Sequence, residues 1–215
     1  MRQNLKDFAT LVSQTLPTIE PIYEFGSFQV SEQMEFADLR PLFPHKQYIG
    51  CDLQEGPGVD RILDLHNIDL PSESVGTVLC FDTLEHVEDP RQALKEIHRI
   101  LQPNGIVIIS SLMCFPIHDC PHDYWRFTPE AFKSILKPFS HSFAGFQGVK
   151  TFPHTIVGIG FKGDIPSLVE FQKGYDRWQK MGSRSIMNLG INLLPPVLIP
   201  IASDLLSLVT RLKRR

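Results

Sequence analysis

Hydrophobic residues along this 215-residue chain gather into short unbroken runs, separated by stretches of helical period. Ile22-Tyr23-Glu24, Tyr48-Ile49-Gly50-Cys51-Asp52 and Thr77-Val78-Leu79-Cys80-Phe81-Asp82 each close on a carboxylate, and Val59 to Leu63 does so at Asp64. Runs without alternation predict strands buried on both faces, as in a parallel sheet. Ile106 to Ile109 is a fifth run, and Phe139 to Phe161 holds two more suited to an antiparallel hairpin at the sheet edge. Between the strands, Ser31 caps a predicted helix to about Leu39 that Pro41 and Pro44 end. Asp89-Pro90 starts another, with Ala93, Leu94, Ile97, Ile100 and Leu101 on one face and an end near Pro103-Asn104-Gly105. Thr128-Pro129-Glu130 opens a third. Leu5, Phe8, Leu11, Val12 and Leu16 recur at helical spacing and predict a lid or packing helix, and Ile165 to Met181 predicts one more.

This order predicts an α/β fold: a Rossmann-like, doubly wound, seven-stranded sheet, mostly parallel with one antiparallel strand near the edge, plus a C-terminal helical extension. The expected divisions are an N-terminal helix over 1–20, a ligand-binding domain over 21–162 and the extension over 163–215. Open sheets bind ligands at the carboxyl ends of their strands, so the terminal carboxylates line one crevice. A carboxylate just past the second strand suits a bidentate hydrogen bond to ribose hydroxyls, and the expected ligand carries a nucleoside. A dinucleotide fits less well, because no G-x-G-x-x-G is present to bring a pyrophosphate onto a helix N-terminus.

Composition narrows the partners. A net charge of −3 supplies no basic field, so nucleic acid is not an expected partner. The four cysteines, Cys51, Cys80, Cys114 and Cys120, form no CxxC pair and are expected to be reduced thiols in a cytoplasmic protein. Met1 to Leu16 lacks a continuous apolar segment, so no signal peptide is expected there. From Ser185 to Thr210 the only formal charge is Asp204, after which the chain ends Arg211-Leu212-Lys213-Arg214-Arg215. Pro195, Pro196 and Pro200 argue against a straight membrane span. Two expectations stay open for this tail: a cap on the domain or on a homodimer partner, or an amphipathic segment giving peripheral contact with an anionic membrane.

Leu79-Cys80-Phe81-Asp82-Thr83-Leu84-Glu85-His86-Val87-Glu88-Asp89-Pro90, followed by Leu94-Lys95-Glu96-Ile97-His98-Arg99-Ile100-Leu101-Gln102-Pro103-Asn104-Gly105, resembles the class I S-adenosylmethionine-dependent methyltransferases. The likeness is to the small-molecule type, domain 11-like, and runs from about Ile22 to Leu136. It implies S-adenosylmethionine as cofactor. It further implies cofactor contacts from the loop Glu24, Gly26 and Ser27, from Asp52 and Leu53 with Asp52 on the ribose, from Asp64 and Leu65 beside the adenine, and from Phe81 and Asp82 near the methionine part. One departure stands out: Glu24-Phe25-Gly26-Ser27-Phe28-Gln29-Val30 keeps one glycine where the family has three. Phe28 and Val30 are therefore expected to narrow the pocket or push the loop outward.

After the fifth strand comes Phe115-Pro116-Ile117-His118-Asp119-Cys120-Pro121-His122-Asp123-Tyr124-Trp125-Arg126-Phe127-Thr128, where an acceptor is expected. Methyl transfer is an in-line displacement on an activated carbon, so positioning supplies much of the rate and a base is needed only where the acceptor loses a proton. His118, His122 and Tyr124 are the candidate bases, with His86 near by topology. Trp125 and Phe127 are expected to pack, and Arg126 to pair with Asp119 or Asp123. No metal is expected, because the family's reaction needs none. The expected activity is methyl transfer from S-adenosylmethionine to a small-molecule or glycan-linked acceptor; the rival is a non-catalytic module that kept the fold with weakened cofactor affinity.

Overall fold

The computed structural model describes residues 1–30, 34–118 and 122–183. Seven strands, β1 (Ile22–Phe25), β2 (Tyr48–Asp52), β3 (Arg61–Ile62), β4 (Val75–Cys80), β5 (Leu101–Leu112), β6 (His141–Val149) and β7 (Phe152–Phe161), form one sheet. Its order is β3-β2-β1-β4-β5-β7-β6. The first five are parallel to one another, and β7 runs antiparallel to both β5 and β6. The order therefore reverses between β1 and β4, at the switch point where such sheets open a crevice.

Burial explains the unbroken runs. Every residue of β1 and β4 is buried, because helices cover both sheet faces. On one face α3 (Pro90–Ile100) inserts Ala93, Leu94, Ile97 and Ile100 beside Phe25, Val78 and Ile109, with α4 (Pro129–Ile135) adding Phe132 and Ile135. Burial of each Leu or Ile there stabilises by roughly 1.5–3 kcal/mol. On the other face α1 (Gln3–Thr15) and α5 (Val169–Ser183) pack Leu5, Phe8, Val12, Phe171, Tyr175 and Trp178 onto Ile22, Leu79, Ile108 and Val157. Phe8 meets Phe171 edge-on at 6.3 Å and Trp178 at 5.0 Å, and the Trp178 indole N–H donates to the Asn4 carbonyl at 2.7 Å. The N-terminal helix is thus a packing element, joined to α5.

Caps behave as their residues dictate. The Asp89 carboxylate accepts from the N–H groups of Arg91 and Gln92, and the Thr128 hydroxyl accepts from that of Ala131. Several boundaries depart from expectation. The helix after the first strand is described only over Met34–Ala37 (α2), with Arg40–Leu42 as a separate 3-10 turn carrying Pro41; Ser31 lies outside the described residues. The third strand shrinks to two residues because Val59 N–H turns back to the Gly56 carbonyl and Asp60 N–H bonds the Gly50 carbonyl. The fifth strand begins at Leu101, where Leu101 pairs with Val75 and a register shift absorbs Pro103-Asn104-Gly105 inside the strand. The last helix starts at Val169, past Pro166. No helix among the described residues is long and apolar enough to cross a membrane. The tail segment 185–215 and its membrane, cap and dimer expectations lie outside the described residues.

Replacing the fully buried Ile97 by Ala removes three side-chain carbons from the seam between α3 and the sheet, with an expected cost of about 2–5 kcal/mol. Lys95→Ala, on the exposed side of the same helix, should change stability by less than about 0.5 kcal/mol. Urea unfolding of both variants checks this, and equal losses would contradict the packing described.

Candidate active site

A cleft of about 550 Å³ opens at the carboxyl ends of β1, β2 and β4. Of the residues expected to hold a cofactor, Gly26, Asp52, Leu53, Asp64, Leu65 and Asp82 line it, together with His86. Phe28, Val30, Gln54, His66 and Thr83 complete its polar and aromatic wall, and Phe25, Leu63 and Val87 its apolar one.

The Asp52 carboxylate is fixed from two sides. Phe28 N–H donates to Oδ2 at 3.2 Å and Leu53 N–H to Oδ1 at 2.8 Å, which sets its plane and leaves each oxygen a further lone pair. Beneath it, Gly26 and Ser27 N–H groups both bond the Cys51 carbonyl, tying the loop after β1 across the end of β2. Gly26 has φ +84°, and a Cβ there would stand 2.1 Å from Thr83 Oγ1, so this surviving glycine is required by conformation and by space. Phe28 also lies against Gly56, where any Cβ would meet its ring at 2.2 Å. Phe28 and Val30 line the cleft.

Asp64 stands at the rim. Its Oδ1 accepts from His66 N–H at 2.8 Å and faces His66 Nδ1 at 2.9 Å, while His66 Nε2 accepts from Asp89 N–H at 3.1 Å. Those partners place the ring proton on Nδ1. Partial burial pushes the Asp64 carboxyl up, but the two His66 contacts outweigh it and hold it below its usual range. At the end of β4, Asp82 takes φ +45°, which a short polar side chain tolerates. Its carboxylate accepts from Ser110 Oγ at 2.9 Å and pairs with Arg2 at 3.0 Å; Arg2 also reaches Thr155 on β7. Sequence patterning holds no signal for Arg2, which sits 80 positions from Asp82.

Three expected cofactor residues lie behind the wall. Phe81 is buried against the α1 and α5 side of the sheet. Ser27 is buried with its hydroxyl on the Cys51 carbonyl. Glu24 is buried and accepts from the Tyr48 hydroxyl at 2.8 Å; burial raises its carboxyl from the usual 4.5 to about 7.

The segment after β5 is pinned onto the turn 84–88. The Glu85 carbonyl accepts from the N–H groups of both Tyr124 and Trp125, the Trp125 indole N–H donates to the Val87 carbonyl at 2.9 Å, and Phe127 N–H bonds the Leu112 carbonyl. Arg126 forks onto Asp123 at 2.5 and 2.7 Å and onto the Phe115 and Pro116 carbonyls; its guanidinium holds the Asp123 carboxyl far below the usual range. Asp119 lies outside the described residues. The candidate bases form two pairs: His86 meets the His118 ring edge-on at 4.8 Å, and His122 lies 5.6 Å from Tyr124. His86 Nδ1 also touches the His122 carbonyl at 2.5 Å, which joins the pairs. Glu85, part of the Leu-Glu-His-Val segment but assigned no role from sequence, is fully buried below them; burial and the nearby Asp82 raise its carboxyl to about 8.

With this geometry the comparisons with known proteins agree. The methyltransferase domain family matches residues 36–109, about a third of the chain. No curated protein matches it. Among solved structures, a Thermotoga maritima S-adenosylmethionine-dependent methyltransferase described as a possible histamine N-methyltransferase is 18% identical, with a TM-score of 0.53 over 74% of this chain and 89% of its own. A Mesorhizobium loti S-adenosylmethionine-dependent methyltransferase is 16% identical, TM-score 0.53, over 73% and 97%. A Haloferax volcanii protein solved in complex with the Trm112 methyltransferase activator is 14% identical, TM-score 0.53, over 74% and 90%. At such identities the structures show the fold, Rossmann-like as in methyltransferases, and the domain match covers β2 to β5.

Glu24 yields a pH prediction. A carboxyl raised from 4.5 to about 7 stabilises the fold fully below pH 4.5, and that contribution is lost as pH rises through 7. Glu24→Gln keeps an acceptor for Tyr48 and cannot ionise. Between pH 4.5 and 8 the wild type should therefore lose about 3 kcal/mol relative to the variant, read from urea midpoints. Parallel pH profiles would refute it.

Proposed function

We propose that this protein transfers the methyl group of S-adenosylmethionine to a small-molecule or glycan-linked acceptor. The observation that carries the reading is Asp52, oriented by two backbone N–H groups above the Gly26 turn with lone pairs still available. A ribose diol is the ligand such a carboxylate suits. The donor set fits the cofactor: Asp64 Oδ2 is the oxygen open to an exocyclic amine, a backbone N–H beside Leu65 suits a ring nitrogen, and Leu53, Leu63 and Val87 offer an apolar surface to the adenine plane. Asp82 borders the side proposed for the methionine part while held by Arg2 and Ser110. Glu24, Ser27 and Phe81 support that floor from beneath. When bound, the sulfonium supplies an activated methyl carbon.

What the chain's own residues add is position and proton handling. The segment 122–128 is held on the turn 84–88 by main-chain bonds, and His118 and the His122 carbonyl meet His86, which lines the cleft. Whichever of His118, His122, Tyr124 and His86 faces an acceptor hydroxyl or amine serves as general base. A second reading, a binding module without turnover, is supported by Phe28 and Val30 in the loop where the family has glycine.

Titration calorimetry with S-adenosylmethionine and S-adenosylhomocysteine tests the first reading. Asp52→Ala should keep the fold and weaken binding by about 2–4 kcal/mol, the effect of losing charge-assisted hydrogen bonds. Unchanged affinity would remove Asp52 from the site.

With labelled S-adenosylmethionine and a cell extract as acceptor source, Tyr124→Phe or His122→Ala should lower labelling about a hundredfold at nearly constant cofactor affinity. Protein that binds the cofactor and labels nothing would favour the second reading.

A further inference from the structure

The two oxygens of the Glu85 carboxyl group meet different surroundings. The residue is fully buried; Oε2 accepts from Ser111 Oγ at 2.6 Å, whereas Oε1 has no hydrogen-bond partner among the described residues. Native interiors rarely leave such an oxygen unmatched, since desolvating it without a partner costs on the order of 1–3 kcal/mol. Two imidazoles stand beside it. His86 Nδ1 lies 2.5 Å from the His122 carbonyl, and His118 Nδ1 lies 3.2 Å from both the Pro116 carbonyl and Asp123 Oδ2. All three contacts are acceptors, so in each neutral ring Nδ1 carries the proton and Nε2 keeps its lone pair. Histidines that bind metals are oriented in this way, by a carbonyl or carboxylate on the other nitrogen. The supporting carboxylate is itself immobilised by the Arg126 fork.

One ligand atom from each of Glu85, His86 and His118 lies within 4.8 Å of the other two. An ion bonded at about 2.0–2.2 Å brings three such atoms to about 3–4 Å of one another. The closing of about 1 Å is within what rotation of the two half-exposed imidazoles supplies.

We propose that Glu85, His86 and His118 form a binding site for a divalent first-row transition-metal ion such as Zn²⁺. Two imidazoles and one carboxylate suit this class better than Mg²⁺ or Ca²⁺, which favour all-oxygen sets, and they leave coordination positions open. His86 also lines the cleft, which puts the ion at its wall. There it binds an acceptor oxygen or nitrogen and makes its proton easier to remove. That last role rests on the proposed methyl transfer; the ion site does not. With His86 and His118 as ligands, the proton passes to His122 or Tyr124.

Equilibrium dialysis of the full chain against Zn²⁺, and visible absorption with Co²⁺ in its place, test the site. The expected results are uptake of about one ion per chain with a d–d spectrum of nitrogen and oxygen ligation. His118→Ala and Glu85→Gln should each weaken uptake at least tenfold, while His141→Ala, at the exposed start of β6, leaves it unchanged. Circular dichroism checks folding, and His118→Ala, on the surface segment, decides the matter if Glu85→Gln does not fold. Absence of stoichiometric uptake, or uptake that survives His118→Ala, overturns the proposal. Calorimetry with S-adenosylhomocysteine on metal-stripped protein separates the readings. Cofactor binding without metal uptake removes the ion alone, and metal uptake without cofactor binding removes the methyl-transfer reading alone.

Discussion

Complete burial of β1 and β4 is the constraint from which the site follows. With helices on both faces, these strands have no position where a polar side chain meets water, and the buried Glu24 and Thr77 have dedicated hydrogen-bond partners instead. Chemistry is displaced to the strand ends. The sheet order reverses between β1 and β4, so the loops leaving them diverge, and the gap between them is the cleft. Gly26 and Thr83 mark its closest approach, where one loop's backbone rests on the other's side chain.

The two sides of the cleft are built differently. The side holding Asp52 and Asp64 is made of short loops whose backbone N–H groups hold those carboxylates in place. The other side is a longer segment laid across the turn 84–88 and fastened by carbonyl groups. His66 links the first side to α3, because its ring joins Asp64 to the N–H of the helix cap residue Asp89. The Asp64 rim and the start of the helix are therefore one hydrogen-bonded unit, and changes at either should be felt by the other.

Much of this was legible in the chain. Unalternating runs ending in carboxylates located β1, β2 and β4 and placed Asp52, Asp64 and Asp82 together, because burial on both faces writes itself directly into composition. Asp89 and Thr128 announced their helices through local cap chemistry. What stayed hidden depended on distant partners. Nothing near Arg2 signals a bond to Asp82, and Glu24 reads like a ligand residue until Tyr48 is seen to bond it. The length of β5 was underestimated because Pro103-Asn104-Gly105 reads as a break, whereas pairing of Leu101 with Val75 carries the strand through it. Glu85 was quoted as part of a motif, yet its burial, and hence its unmatched oxygen, is a property of the packed molecule.

The anchoring of the segment after β5 has a consequence for how this protein can diverge. Its fastenings are main-chain groups and the Asp123–Arg126 fork, while the side chains of Phe115, Ile117 and Tyr124 are exposed and make none of those bonds. Those three positions can exchange side chains without loosening the loop or disturbing Asp52 on the opposite wall. Single substitutions there thus reshape the surface beside the cleft and leave the Asp52 side as it is.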